Sequence, residues 1–133
     1  MEAQGIAMRE MKSKKVLLIG LRSDCVDYEK WPELNREKLN AAFEEVVDEL
    51  TKEGYAAIWC LTDQGATASE QVQEALKKER PDIVLVGAGL RTDPDLLHLF
   101  EKVINAIHEH APSARITFNQ FPYDSVEAVK RWS

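Results

Sequence analysis

The chain has 133 residues, 44% of them hydrophobic and 30% charged, which suits a single cored domain and argues against disorder. Its formal net charge of −6 opposes phosphate backbones and anionic membrane surfaces, so no nucleic acid and no membrane is expected as a partner. Two cysteines, Cys25 and Cys60, do not make a disulfide framework, and no apolar run reaches signal-peptide or transmembrane length, which points to a cytoplasmic protein.

Residues 1–14 read as a flexible N-terminal segment ahead of one domain over 15–133, and the basic cluster Lys12, Lys14, Lys15 as solvated charge. Four short apolar runs follow: Val16–Leu21, Ala56–Leu61, Ile83–Gly87 and Arg115–Phe118. The first and third are apolar on both faces, as central parallel strands are; the second and fourth carry Trp59, Arg115, Thr117 and Asn119, which suits edges.

Helical periods separate the strands. The first helix has Leu39, Phe43, Val46, Val47 and Leu50 on one stripe and stops at Gly54. The second opens on Thr67-x-x-Glu70, a capping box, and carries Val72, Ala75 and Leu76. The third opens on Asp93-Pro94, with a core face of Leu96, Leu97, Phe100, Val103, Ile104 and Ile107 and a stop before Pro112. A short last helix spans about Tyr123 to Arg131. The order βαβαβαβα predicts a three-layer αβα fold, with a four-stranded parallel sheet in the order 2-1-3-4, flavodoxin-like or Rossmann-like. Strands one and three are then neighbours whose chains leave in opposite directions, and ligands of such sheets bind in the crevice beyond that switch point.

Two turns meet there and share a pattern: Gly20-Leu21-Arg22-Ser23-Asp24 and Gly89-Leu90-Arg91-Thr92-Asp93. Two guanidinium groups brought together would clamp a phosphate or carboxylate, with Ser23, Thr92 and the N-terminus of the third helix adding donors. Alternatively Asp24 and Asp93 neutralise the arginines and Asp93 is only a helix cap. The long connection Leu21–Asn35, with Val26, Tyr28, Trp31, Pro32 and Leu34 among charges, is either a lid over the crevice or a packed surface loop.

Several chemistries are missing. Gly-x-Gly-x-x-Gly fails because Thr92 stands where a third glycine is needed, and Walker A, Gly-x-Ser-x-Gly, Cys-x-x-Cys and His-Glu-x-x-His are absent. Cys25 lacks the arginine six positions on that a phosphatase loop requires, since Trp31 is there, so an incidental thiol is expected. His98, Glu101, Asn105 and His108 line one side of the third helix, either as a polar surface or as a metal or general-base site, and the polar surface is preferred. His110 suits the helix C-terminus.

The segments Val-Leu-Leu-Ile-Gly-Leu, Val-Gly-Ala-Gly-Leu-Arg, Leu-Phe-Glu-x-Val-Ile-Asn-x-Ile-His, Thr-Phe-Asn and Ala-Val-Lys-Arg-Trp, spread from Lys15 to Trp132, resemble those of a family of small uncharacterised bacterial and fungal α/β proteins. The resemblance implies the fold and no particular activity, and puts Gly87, Gly89, Arg91, Glu101, Asn105, His108 and Asn119 in motif segments.

Two functions are therefore expected. One is binding of a small anion at the crevice, with Arg22 and Arg91 as clamps and Ser23, Gly87, Gly89, Thr92 and Asn119 as further contacts. If chemistry follows, His98 or Asp24 would be its acid–base group; no metal and no cofactor is assigned. The other is a non-catalytic homo-oligomer, built through the sheet edges or the third-helix stripe, with Trp59 and Trp132 as contacts.

Overall fold

Four parallel strands, β1 (Lys15–Leu21), β2 (Ala56–Thr62), β3 (Ile83–Val86) and β4 (Arg115–Phe118), pair in the order β2-β1-β3-β4 in the computed structural model, which describes residues 14–65 and 67–133. The fold is the three-layer α/β arrangement expected. The N-terminal segment and Lys12 lie outside the described residues, apart from Lys14. Helices α1 (Arg36–Lys52), α2 (Ala68–Glu79), α3 (Leu97–His110) and α4 (Ser125–Arg131) cover the sheet, and a single helical turn, Ala88–Arg91, follows β3.

Strand alternation builds two cores. Val16, Leu18, Ile83 and Leu85 face α1 and α4, where they meet Val46, Leu50, Ala128 and Val129. Leu17, Ile19, Val84 and Val86 face α2 and α3, where they meet Val72, Leu76, Val103 and Ile107. Both faces of β1 and β3 are dry, which is why their sequences are apolar throughout. Each fully buried aliphatic side chain contributes about 1.5–3 kcal/mol over its exposed state.

Helix ends follow local chemistry, with two departures from expectation. Asn35 caps α1 by accepting from the Lys38 N–H at 2.8 Å, and the chain leaves that helix through Gly54 at φ 92°, a left-handed turn that suits glycine. The Thr67 capping box does not form, because the hydroxyl donates to Asp63 Oδ2 at 2.5 Å instead of accepting from its own helix. Asp93 caps as expected, accepting from the Asp95 N–H at 3.0 Å, but the chain first makes a 3-10 turn over Pro94–Leu96. That tighter turn rotates the helix that follows. Leu97 is consequently 60% exposed rather than in the core, and Leu99, which the periodicity passes over, is buried.

Candidate functional site

The β1–β3 register pairs Ile19 with Val86, so Gly20 and Gly87 lie side by side where the two strands part. The Gly87 N–H donates to the Ile19 carbonyl at 2.8 Å, and a Cβ on Gly87 would stand 3.3 Å from that same oxygen. A Cβ on Gly20 would meet the Trp59 ring at 3.2 Å. Two absent side chains thus let backbone and indole close the floor of a cavity of about 520 Å³.

That cavity opens on the α1–α4 side of the switch point. Gly20, Leu21, Gly87, Ala88 and Gly89 come from the strand ends, and Leu39, Ala42, Phe43, Glu45, Val46 and Glu49 from α1. The β4–α4 turn adds Asn119–Tyr123, and the long β1–α1 connection adds Val26, Trp31, Glu33 and Leu34. Trp59 is fixed by donating its indole N–H to the Phe43 carbonyl at 2.9 Å, with the two rings 4.6 Å apart. Phe121 and Tyr123 stack at 5.1 Å with planes 5° apart, and Tyr123 is 78% exposed. Among the described lining residues are five aromatic side chains and three carboxylates, and no lysine, arginine or histidine.

Asn119 is at the centre of the constellation but is occupied. It is only 4% exposed, its Oδ1 accepts from the Ala88 N–H at 2.9 Å, and its Nδ2 donates to Ser125 Oγ at 3.0 Å. Asp124 shapes the same turn by accepting from the Gln120 and Phe121 N–H groups. The amide holds the end of β4 against the turn after β3.

The two arginines are spent separately, and neither lines the cavity. Arg22 makes a two-pronged pair with Asp24, Nε to Oδ1 and Nη2 to Oδ2, each at 3.0 Å. Each partner stabilises the other's charge: the Asp24 carboxyl is held below its ordinary range by the Arg22 hydrogen bonds, and the guanidinium is raised by Asp24. Arg91 instead donates to the Asn119 carbonyl at 2.9 Å, with its guanidinium 5.9 Å from the Phe118 ring centroid. Thr92 donates back to the Ala88 carbonyl, and the Ser23 carbonyl accepts from the Tyr28 hydroxyl at 2.6 Å.

Asp93, the acid expected beside Arg91, is taken by the long connection. Lys30 Nζ lies 2.7 Å from Asp93 Oδ1 and 2.6 Å from Asp95 Oδ2. The Lys30 hydrogen bond depresses the Asp93 carboxyl, and Asp93 then Asp95 push the lysine well above its usual value. Gln64 also bonds the Cys25 carbonyl. The Leu21–Asn35 connection is therefore strapped at both flanks and contributes Trp31 and Leu34 to the cavity.

His98 stands outside. It is 81% exposed, 4.0 Å from Glu101, in a shallow polar depression between α2 and α3 that also takes in Ser69, Gln73 and Asn105; His108 is exposed further along. Among the described residues no group of three or more His, Cys, Asp or Glu side chains is placed to hold a metal, and no helix is long and apolar enough to cross a membrane. Burial raises the Cys60 thiol pKa, so that side chain behaves as a strand residue.

Of the residues singled out from the sequence as ligand contacts, Gly87, Gly89 and Asn119 line this cavity, while the α1 wall and the aromatic turn were not among them. The signals were there: the small Ala42 one turn from Leu39 and Val46, Glu45 and Glu49 one helical turn apart, and Phe121-Pro122-Tyr123. No family model matches the chain, and no curated protein matches it.

Proposed function

We propose that the crevice binds a small organic molecule with an apolar body and an amine or other cationic end. The observation that carries this is the wall itself: a cavity of about 520 Å³ at the switch point, walled by Trp31, Phe43, Trp59, Phe121 and Tyr123 and rimmed by Glu33, Glu45 and Glu49. Its size falls in the range of about 300–1,000 Å³ common to ligand sites, and aromatic faces with carboxylates attract cations. A net charge of −6 adds a long-range field of the same sign.

The competing ligand is the small anion suggested by the paired Gly-Leu-Arg turns. It would require Arg22 to leave Asp24 and Arg91 to leave the Asn119 carbonyl, each at a cost in hydrogen bonds, and to approach three carboxylates. Phenethylamine, phenylacetate and inorganic phosphate separate the two, since the first two differ chiefly in the sign of their charge. In an amide-resolved NMR titration, phenethylamine is expected to shift Gly20, Gly87 and Gly89, and the double variant Glu45→Gln/Glu49→Gln to weaken it several-fold, less so at high salt. Tighter binding of phenylacetate or phosphate, lost in Arg22→Ala or Arg91→Ala, would replace this function with the anionic one.

A further inference from the structure

The sheet has two edges, and only one is guarded. β4 is four residues long, begins with the exposed Arg115, and has its outward Phe118 carbonyl occupied by the Arg131 guanidinium at 3.1 Å. β2 is seven residues, Ala-Ala-Ile-Trp-Cys-Leu-Thr, with no charge, proline or glycine, so it lacks the devices by which edge strands avoid pairing.

Its free groups can be named. The Ala56 N–H donates to the Lys14 carbonyl and the Thr62 carbonyl accepts from the Arg22 N–H, which turns Ala56, Ile58, Cys60 and Thr62 toward β1. Alternation then aims the N–H and C=O of Ala57, Trp59 and Leu61 outward. Among the described residues only β1 pairs with β2. Ile58, on the α2 side of the strand, is 44% exposed.

We propose that a second copy of this chain pairs with β2 antiparallel across a two-fold axis at Trp59, joining two four-stranded sheets into one. In that register Trp59 stands opposite its own copy and Ala57 opposite Leu61, so each exchanges both of its backbone bonds. Ile58 meets Cys60 of the copy and loses its exposure to water. The flanking helix fits the same symmetry: α2 carries exposed Glu70 and Glu74 in its first half and exposed Lys77 and Lys78 in its last turn. Antiparallel copies set acid opposite base, whereas a parallel arrangement would set like against like. This complementarity within one sequence singles out a second copy as the occupant, and it is independent of what the crevice binds.

Sedimentation of the full chain, paired with amide hydrogen exchange, tests it. A dimer with slowly exchanging Ala57, Trp59 and Leu61 amides is expected. Ile58→Lys should weaken that dimer about tenfold or more while leaving the circular dichroism unchanged, because it places two ammonium groups diagonally across the axis. Phe118→Lys, at the guarded edge, should leave it intact. A monomer with fast exchange at those amides overturns the proposal. So does a monomer in which they exchange slowly, since another part of the same chain then covers the edge. A dimer that survives both Ile58→Lys and Ala57→Pro likewise overturns it.

Discussion

Gly20-Leu21-Arg22-Ser23-Asp24 and Gly89-Leu90-Arg91-Thr92-Asp93 carry nearly the same letters and do different structural work. In the first, Gly20 is still inside β1, and Arg22 closes on Asp24 two residues on. In the second, Gly89 lies within a helical turn beyond β3, Arg91 reaches the end of β4, and Asp93 is bound by Lys30 from the other connection. The residue that matches Gly20 in the sheet is Gly87, two positions before the glycine that matches it in the motif. A shift of two residues relative to the strand end changes which neighbours an arginine meets, so shared letters do not make a shared site.

The sharpest way to break this contrast is at Asn119, which joins the second turn to β4 and has no counterpart at the first. Asn119→Ala leaves the partly buried Ala88 N–H without its side-chain partner and should lower stability by about 1–3 kcal/mol in urea unfolding. A change near zero would mean that the clasp is replaceable by water. Next comes the strand-end equivalence: Gly87→Ala puts a methyl 3.3 Å from the Ile19 carbonyl and should cost about 1 kcal/mol, whereas Gly89→Ala meets open space and should be close to neutral.

A smaller effect belongs to the strap. Because Lys30 depresses the Asp93 carboxyl, the contribution of this pair to stability is complete above the ordinary aspartate pKa of about 4 and is lost as pH falls through the lower folded value. The stability difference between wild type and Lys30→Met should therefore shrink on acidification below about pH 4, and a difference that grows instead would assign Asp93 another partner. Smallest of all, Arg22→Ala should leave unfolding unchanged, since its pair with Asp24 is solvent-exposed.

The sheet order was legible because β1 and β3 must be apolar on both faces while β2 and β4 tolerate polar residues, and because helical stripes separate them. Position along each element was less so. Thr67 reads as a cap by its spacing to Glu70 alone, yet Asp63 is a stronger acceptor for its hydroxyl. Leu97 reads as core because a continuous α-helix from Pro94 would bury it, and the 3-10 turn breaks that continuity. A cavity does lie at the β1–β3 switch point, but its walls come from α1 and the β4–α4 turn, brought in by packing at long sequence separation. Lys30 meeting Asp93 across 63 residues has no local signature at all.

Ligand-induced stabilisation, compared across three proteins, tests most directly whether the binding space is the aromatic cavity and not the ground between the arginines. With phenethylamine at about ten times its Kd, wild type and Arg22→Ala/Arg91→Ala should each gain about 1.4 kcal/mol of unfolding free energy. Gly89→Phe, whose ring would enter the cavity, should gain almost none. Stabilisation that survives Gly89→Phe and vanishes in the double arginine variant would contradict the account.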